Sequence, residues 1–338
     1  MIARSGGASS KTGHLLASAG LMHGPTPLEY WPRLSQLTGS QIYAKRDDLS
    51  RIGLGGNKIR KLDLILGQAL LDGVDVVITV GGAQSNHCRQ TAAACARLGL
   101  RCVLYLQGQS DGKALGNVML DLLFGAEVQF VDAASFDEVD LCAKQRAEEF
   151  RADGLRPLFV PLGGGTALGT WSFAVAAEEL SDQCLELEIS PKAVVLAVGT
   201  GSTVAGLSMG PASGPEAELV GVSVSRPRAV LEVDVARCRA EAAHLKSGIS
   251  LDARSEPRLT LRDDYIGLGY TRPTEAGIHA VRTLARTEGV LTDLTYSGKA
   301  LACLLDLAKD SGTTDVLVFW HTGGFPELFA RDSELLEG

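Results

Sequence analysis

Aromatic side chains, positive charge and long apolar segments are all scarce in this chain of 338 residues. Phe, Trp and Tyr make up only 5% of it although 45% of the residues are hydrophobic, a composition typical of an α/β enzyme rich in Ala, Leu and Val. The formal net charge is −8 at pH 7 and there are no basic runs, so a nucleic-acid partner is not expected. No apolar run approaches the ~20 residues that span a bilayer, so no membrane association is expected.

Paired cysteines are also lacking. The seven cysteines are an odd number, none of them belongs to a C-x-x-C pair, and they show no metal-ligand spacing with the histidines. Four of them lie in helical patterns rich in Ala and Leu, namely Cys88, Cys95, Cys142 and Cys303. We therefore expect small buried thiols in a reducing cytoplasm rather than disulfides or a metal site.

Short β-branched segments alternate with helical segments along most of the chain. Strands are predicted at 74–80, 102–106, 127–132, 158–162, 193–198, 218–225, 290–296 and 315–320. Continuous apolar strands between amphipathic helices indicate parallel strands that are covered on both faces. The pattern predicts a doubly wound α/β fold, in which ligands bind in the loops beyond the carboxyl ends of the strands.

Polar and small residues concentrate in five of these loops. They are GGAQSNH after residue 80, GGGT after 162, GTGST after 198, TYSGK after 294 and HTGG after 320. Because strand-end loops of a parallel sheet converge on one edge, we expect the active site there.

The loop in AVGTGSTVAGL (197–207) has the composition of an anion-binding turn. Its glycines let the backbone approach a ligand, the following helix offers unpaired N–H groups, and Thr200, Ser202 and Thr203 add hydroxyl groups. It has neither the lysine of a P-loop nor a full G-x-G-x-x-G, so a phosphate monoester fits better than a nucleotide. A tight β–α turn with helix caps is the alternative reading.

The segment GLGGNKIRKL (53–62) has three glycines in four positions, then Asn57, and then Lys58 in the first turn of a predicted helix. The positive end of the helix dipole and desolvation would both lower the pKa of Lys58, as suits an amine that acts as nucleophile and base. The alternative is a solvated lysine in a basic cluster with Arg60 and Lys61. The glycines favour the first reading because they leave room for a flat group against the backbone.

The segment QSNHCRQ (84–90) puts Ser85, Asn86 and His87 at the start of another helix, where hydroxyl, amide and imidazole groups can form a nest for a carboxylate. Helix capping and a surface histidine are the alternatives.

Tyr270 and Tyr296 lie in loops that lead into helices, and each taken alone is typical of a packing aromatic. Together, the glycine-flanked lysine, the monophosphate loop and the carboxylate nest describe a site for pyridoxal phosphate that holds an amino acid.

Six segments resemble the aminocyclopropane-carboxylate deaminase / D-cysteine desulfhydrase family, in the expected order between about residues 22 and 330. They are KRDDLSRIGLGGNKIRKL (45–62), GGAQSNHCRQTAA (81–93), AVGTGSTVAGL (197–207), GLGYTRPTEAG (267–277), TYSGKA (295–300) and FWHTGG (319–324). The resemblance implies the tryptophan synthase β-like fold of pyridoxal-phosphate enzymes (fold type II), with two open, twisted, doubly wound sheets. It further implies a larger cofactor-binding domain, 1–61 with 165–338, a smaller inserted α/β domain, 62–164, and a homodimer.

The resemblance also implies roles for single residues. Lys58 matches the lysine that binds the cofactor covalently and moves the α-proton, and Asn86 matches the residue that contacts the phenolic oxygen of the cofactor. Ser85 and His87 match carboxylate-binding positions, with Ser85 a possible second proton carrier. Further positions that match catalytic, cofactor-binding or substrate-binding residues are Asn57, Gly199, Thr200, Gly201, Ser202, Thr203, Tyr270, Tyr296, Ser297 and Thr322.

Two positions indicate which substrate the enzyme uses. Family members that open the cyclopropane ring carry Glu and Leu where this sequence has Ser297 and Thr322. Thr322 can hydrogen-bond the ring nitrogen of the cofactor without protonating it, and β-elimination needs a weaker electron sink than ring opening does. The two residues therefore favour a carbon–sulfur lyase that converts a cysteine-like amino acid to pyruvate, ammonia and sulfide.

Several alternatives stay open at this point. Within the family these are L-cysteate sulfo-lyase, with Arg272 or Arg89 as candidates to bind the sulfonate, and aminocyclopropane-carboxylate deaminase. From other classes they are a non-catalytic pyridoxal-phosphate carrier and a dinucleotide oxidoreductase, although the glycine fingerprint of the latter is missing.

Overall fold

Two β-sheets flanked by helices form the framework of the computed structural model, which describes residues 16–110, 112–211, 217–246 and 257–331. One sheet has six strands in the order β1 (Leu28–Tyr30), β2 (Gln41–Arg46), β10 (Val316–His321), β7 (Pro191–Val198), β8 (Glu218–Ser223) and β9 (Arg258–Arg262). The other has four strands in the order β5 (Glu127–Val131), β4 (Arg101–Gln107), β3 (Val76–Gly82) and β6 (Pro157–Val160). All pairs are parallel except β1 with β2.

Helices cover both faces of both sheets. They are α1 (Pro32–Thr38), α2 (Lys58–Leu71), α3 (Asn86–Leu98), α4 (Gly116–Leu123), α5 (Phe136–Ala152), α6 (Ala167–Glu186), α7 (Ser202–Leu207), α8 (Arg228–Ala243), α9 (Glu275–Glu288) and α10 (Ser297–Lys309). Helices α1, α9 and α10 pack on one face of the six-stranded sheet, and α6, α7 and α8 pack on the other. Helices α2, α3 and α4 lie opposite α5 on the four-stranded sheet. The predicted doubly wound α/β fold is confirmed.

Seven of the eight predicted strands are present, and the one predicted at 290–296 is wrong. That segment is a buried turn, because the carboxylate of Asp293 accepts hydrogen bonds from the backbone N–H groups of Tyr296 and Ser297. A side chain that binds its own backbone in this way competes with a strand ladder. Strands β1, β2 and β9 were not predicted, since two are short edge strands and β2 carries charged residues.

The two sheets divide the sequence along the lines of the predicted domains. All strands of the four-stranded sheet come from within 62–164, and those of the six-stranded sheet come from the segments on either side. Helix α2 begins at Lys58, four residues before the predicted boundary. The boundaries themselves stay a prediction.

A buried ionic network fixes the first turn of α2. The guanidinium of Arg60 donates to the carboxylates of Asp47 and Glu179, and to the hydroxyl of Thr26 at 2.8 Å. Asp47 also accepts from the indole of Trp320 in β10, at 2.8 Å. A buried cation that is fully hydrogen-bonded holds its helix in one position, so this network sets where Lys58 begins α2.

The seven cysteines are unpaired, and all are buried except the half-buried Cys142. The expectation of buried thiols is confirmed for three of the four cysteines in helical patterns, Cys88, Cys95 and Cys303. Among the described residues, no helix is long and apolar enough to cross a membrane.

Candidate active site

A cavity of about 270 Å³ lies between the two sheets, beyond the carboxyl ends of their strands. All five polar loops contribute to its wall, with Ser85 to His87, Gly163, Gly199 to Gly201, Thr203, Tyr296 and Thr322. Most predicted site residues line this cavity. Ser202 and Ser297 do not, but each contacts a residue that does.

Lys58 is the first residue of α2, and its ammonium donates to the side-chain oxygen of Asn57 at 2.9 Å. Burial lowers the pKa of Lys58 to about 8, although Asp293 and Asp47 oppose the shift. The predicted depression of this pKa is confirmed. The alternative of a solvated basic cluster is wrong, because Arg60 and Lys61 are only 7% and 1% exposed.

The glycines before Lys58 are needed by the packing of the protein itself. Gly55 and Gly56 have φ of 71° and 129°, values that residues with side chains rarely adopt. A Cβ on Gly55 would lie 1.8 Å from the carbonyl oxygen of Asp48, and one on Gly56 would lie 2.4 Å from the amide of Gln90. The loop is therefore pressed between two neighbours, which fixes the start of α2.

Lys61 is a site residue that the sequence reading missed. It lies one helical turn after Lys58, and its ammonium donates to the hydroxyl of Ser202 and to the carbonyl of Gly163. Burial and the charge of Lys58 lower the pKa of Lys61 well below its usual range. An ammonium group held against a Gly/Ser/Thr loop at a helix start is the donor set that a phosphate monoester requires.

Ser85 caps α3, and its hydroxyl proton remains available to a ligand. Its hydroxyl oxygen accepts from the N–H of Cys88 at 3.2 Å, so its own O–H is available to the cavity. The capping and carboxylate-binding readings are thus compatible. The first N–H groups of α3, at Asn86 and His87, lie beside this hydroxyl and can bind a carboxylate.

Asn117 on α4 fixes the side chain of Asn86. Its amide nitrogen donates to the side-chain oxygen of Asn86 at 3.0 Å and to the carbonyl of Gln84 at 2.8 Å. The nitrogen of the Asn86 amide is thereby left to donate into the cavity. The sequence offered a signal for Asn117, because its only three asparagines are Asn57, Asn86 and Asn117.

His87 is buried and neutral, so the surface reading is wrong. Its Nε2 lies 2.9 Å from the hydroxyl of Thr79, whose single proton goes to the carbonyl of Val160 at 2.7 Å. Nε2 therefore carries the ring proton and Nδ1 presents a lone pair. Burial, with Lys58 and Lys61 adding to it, lowers the pKa of His87 well below its usual range. A neutral acceptor cannot bind a carboxylate, which leaves the backbone N–H of His87 for that role.

Tyr270 and Tyr296 form a hydrogen-bonded pair with 2.6 Å between their hydroxyl oxygens. Their rings meet edge to face at 5.8 Å, and Phe136 of α5 lies 6.3 Å from the ring of Tyr270. Burial raises the pKa of Tyr270 to about 12 although the hydrogen bond with Tyr296 opposes the shift, and burial raises the pKa of Tyr296 well above its usual range. Both hydroxyls are protonated at neutral pH, and Tyr270 is the more acidic.

Thr322 faces the cavity and Ser297 lies behind it. Ser297 donates to the carbonyl of Gly323 at 3.0 Å, so its oxygen accepts from the hydroxyl of Thr322, also at 3.0 Å. Thr322 therefore offers lone pairs to the cavity rather than a proton.

Neither arginine proposed for a sulfonate lines the cavity. Arg89 is fully buried beneath the glycine loop, where it donates to the carbonyl of Gly55 at 3.1 Å, and Arg272 is exposed. Arg226, which follows β8, does line the cavity and pairs with Asp234. Arg226 directly follows the predicted strand 218–225, but it was not among the predicted site residues because the segment after that strand lacks the Gly, Ser and Thr run that marks the other loops.

The residues present fit pyridoxal phosphate. Lys61 with Ser202 and Thr203 matches the phosphate, Lys58 supplies an amine with a lowered pKa, and Asn86 supplies a fixed amide donor. Gly163 leaves space in the cavity between Thr200 and Lys58. A Cβ at this position would lie 3.3 Å from Thr200 and 3.9 Å from Lys58 and would fill part of that space.

The fold and this donor set define an enzyme that uses pyridoxal phosphate. The sequence pattern of the family described as "Pyridoxal-phosphate dependent enzyme" matches residues 20–323, and the chain belongs to that family. It is 41% identical to the D-cysteine desulfhydrase of Klebsiella pneumoniae (strain 342), over 93% of this chain and 96% of the relative. It is also 41% identical to the D-cysteine desulfhydrase of Salmonella choleraesuis (strain SC-B67), over 92% and 94%.

Solved structures agree on the fold. A crystal structure of an ACC deaminase homologue superposes with a TM-score of 0.83 at 34% identity, covering 95% of this chain and 96% of that one. Apo diaminopropionate ammonia lyase of Escherichia coli superposes with a TM-score of 0.67 at 18% identity, covering 95% and 88%, which supports the fold alone. Family membership decides against the two alternatives from other classes, a non-catalytic carrier and a dinucleotide oxidoreductase.

Proposed function

We propose that this enzyme is a D-cysteine desulfhydrase, which converts a cysteine-like amino acid and water to pyruvate, ammonia and hydrogen sulfide. The observation that carries the proposal is one cavity that holds both the amine of Lys58 and the hydroxyl pair of Tyr270 and Tyr296. An elimination needs a base for the α-proton and an acid for the leaving group, and these two features provide them. The 41% identity to D-cysteine desulfhydrases supports the same activity.

Substrate binding falls to the start of α3. The hydroxyl of Ser85 and the N–H groups of Asn86 and His87 bind the carboxylate, in the way that helix N-termini bind anions. When bound, pyridoxal phosphate supplies an electron-accepting ring that stabilises negative charge on the carbon beside the amino group. Lys61, Ser202 and Thr203 would hold its phosphate, Asn86 would donate to the ring oxygen, and Thr322 would contact the ring nitrogen.

Proton transfers fall to Lys58 and the tyrosine pair. The neutral amine of Lys58 takes the proton from Cα at Nζ, and burial keeps a large share of this amine unprotonated near pH 8. The bond from Cβ to sulfur then breaks with its electron pair on sulfur, and Tyr270 gives its proton to the departing sulfur. We assign Tyr296 as the donor to the phenolate oxygen that then remains on Tyr270, since the two oxygens lie 2.6 Å apart. The released aminoacrylate takes up water to give pyruvate and ammonia.

The test is product release across five amino acids: D-cysteine, L-cysteine, L-cysteate, β-chloro-D-alanine and aminocyclopropane-carboxylate. We expect the highest kcat/KM for pyruvate and sulfide release with D-cysteine, and no turnover in Lys58→Ala. Turnover of aminocyclopropane-carboxylate above that of D-cysteine, or an active Lys58→Ala variant, would contradict the proposal.

Sulfite release from L-cysteate is a second candidate, favoured by Arg226 in the cavity wall. The ion pair with Asp234 draws this guanidinium away from a substrate, and a second arginine, Arg237, also contacts Asp234. We expect Asp234→Ala to raise the ratio of L-cysteate to D-cysteine kcat/KM several-fold, and Arg226→Ala to lower it. Arg272→Ala is the control and leaves the ratio unchanged. If neither variant shifts the ratio, Arg226 has no part in substrate choice.

We also propose that the enzyme is a homodimer of the cytoplasm. Its unpaired thiols support the cytoplasm, where disulfides are rare. Met119, Leu122 and Leu123 of α4 are 43%, 50% and 71% exposed, and the segment Phe325–Ala330 beside them exposes Phe329. Apolar patches of this kind often mark subunit interfaces.

Light scattering tests the dimer. We expect the wild type at twice the monomer mass of 35.6 kDa and Leu123→Asp shifted toward the monomer. Leu185→Asp, at a leucine of α6 that is 63% exposed, is the control and stays dimeric. A monomeric wild type would end this part of the proposal, and a dimeric Leu123→Asp would place the interface elsewhere.

A further inference from the structure

Two cationic side chains hold the backbone carbonyl groups on either side of Tyr270. The ammonium of Lys299 donates to the carbonyl of Gly269 at 2.9 Å, and the guanidinium of Arg331 donates to the carbonyl of Thr271, also at 2.9 Å. Neither cation lines the cavity. Their common target is the short loop 263–274 between β9 and α9, which carries Tyr270.

Lys299, on α10, is fully buried. Besides Gly269, its ammonium donates to the carbonyls of Ile266 at 2.8 Å and Val224 at 3.2 Å. Burial lowers the pKa of Lys299 to about 8, with Arg331 adding to the shift and the carboxylates of Asp293 and Glu327 opposing it. Burying an ammonium is costly unless its protons are hydrogen-bonded, and here three carbonyls satisfy all three. The side chain thus ties the loop both to α10 and to the end of β8.

Arg331 ties the other side of the loop to the segment before Tyr296. Its guanidinium donates to the hydroxyl of Thr295 at 3.1 Å and to the carboxylate of Glu327 at 2.9 Å. Thr295 itself donates to Glu327 at 2.5 Å. One cation therefore contacts the residue after Tyr270 and the residue before Tyr296.

The backbone on both sides of Tyr270 has positive φ. Gly269 has φ of 122°, and Thr271, a β-branched residue, has φ of 61°. The left-handed conformation is unfavourable for a residue with a side chain and persists only where the surroundings enforce it. The hydrogen bonds from Lys299 and Arg331 to these two residues provide that enforcement.

We propose that Lys299 and Arg331 are positioning residues that clamp loop 263–274, so that the hydroxyl of Tyr270 stays hydrogen-bonded to the hydroxyl of Tyr296. The clamp rests on the proposed function in one respect, namely that Tyr270 protonates the leaving group. Neither cation touches the reacting atoms, so both act through Tyr270.

Hydrogen–deuterium exchange of the holoenzyme tests the clamp without any substrate. We expect Lys299→Met and Arg331→Gln each to raise exchange in 263–274 at least several-fold, with Lys299→Arg intermediate. Lys309→Met is the matched control, since Lys309 lies on the same helix but is exposed and paired with Asp306, and it leaves exchange unchanged. In turnover of D-cysteine, the two clamp variants lower kcat about tenfold or more and change KM less than threefold.

Each outcome separates the clamp from the proposed activity. The clamp would be overturned if hydrogen–deuterium exchange in 263–274 were the same in Lys299→Met and Arg331→Gln as in Lys309→Met. Should Lys299→Met fail to fold, hydrogen–deuterium exchange of the loop in Arg331→Gln and Arg331→Lys tests the clamp instead, since Arg331 is only half-buried. Raised exchange in a protein that releases no pyruvate from any of the five amino acids would support the clamp and reject the proposed function.

Discussion

The hydroxyl oxygens of Tyr270 and Tyr296 lie 2.6 Å apart, and only one of the two protons can lie between them. In the proposed mechanism Tyr296 is the donor and Tyr270, whose pKa is raised less, is the acceptor, so the proton of Tyr270 is the one left free for a ligand. The pair therefore has an orientation, with Tyr270 as the proton donor and Tyr296 as its support.

This orientation predicts a defect that depends on the leaving group. Tyr270→Phe lowers kcat/KM for D-cysteine about 100-fold, within the usual range for a lost general acid, while β-chloro-D-alanine is affected far less because chloride leaves without a proton. Pyruvate release measures both. Tyr30→Phe is the control, since Tyr30 lies on the edge strand β1, outside loop 263–274, and is 44% exposed. Equal losses with both substrates would remove Tyr270 from the role of acid.

The contacts of Lys61 predict weaker cofactor binding in its absence. Lys61→Met removes a charge-assisted hydrogen bond to the phosphate, worth about 1.5–3 kcal/mol, so the Kd of the apoenzyme for pyridoxal phosphate rises about 10- to 100-fold. A fluorescence or absorbance titration measures this Kd. Lys144→Met, at a lysine whose side chain is 58% exposed, leaves it unchanged. An unaltered Kd in Lys61→Met would place the phosphate elsewhere.

The hydrogen bond from Asn117 to Asn86 predicts a spectroscopic effect at a distance. Asn117→Ala lets the amide of Asn86 rotate, which weakens its contact with the cofactor, shifts the absorbance maximum of the holoenzyme and raises the Kd for the cofactor about three- to tenfold. Gln109→Ala is the control, because Gln109 bonds the exposed Asp132 near the same sheet. A spectrum that matches the wild type would mean that Asn86 is held by other contacts.

The pKa of Lys58 predicts how cofactor uptake depends on pH. Only the unprotonated amine attacks an aldehyde, and burial lowers the pKa of Lys58 to about 8, so the unprotonated fraction rises with pH and saturates above that value. The rate at which the apoenzyme binds pyridoxal phosphate covalently therefore rises about tenfold per pH unit below 8 and levels off above it. Stopped-flow absorbance follows this rate. A rate that climbs steadily to pH 10 would indicate an ordinary, solvated lysine.

Residues in strand-end loops were predictable because local chemistry marks them. Lys58 follows glycines, Ser85 has the sequence of a helix cap, and the phosphate loop combines Gly, Ser and Thr between a strand and a helix. Parallel topology then brings these loops to one edge, as the shared cavity confirms. Periodicity also predicted seven of the ten strands found in the described part of the chain.

Residues whose roles arise from tertiary contacts were not predictable. Lys61 reads as one more basic residue until α2 is packed against the phosphate loop, and Asn117 lies in a helix far along the chain from Asn86. The turn at 290–296 has the apolar composition of a strand, and only the bonds of Asp293 to its own backbone show otherwise. The reason for the glycines before Lys58 was likewise visible only in their neighbours, Asp48 and Gln90.

The buried cysteines bear on how readily the thiols of this enzyme are oxidised. Burial raises the pKa of Cys184 to about 12 and that of Cys303 to about 11, and it also raises the pKa of Cys88, one helical turn from Ser85. Oxidants attack thiolates rather than thiols, and these thiols stay protonated and shielded from solvent. The thiol of Cys88, behind the substrate-binding end of α3, is thereby kept in its unreactive form while the neighbouring cavity turns over substrate.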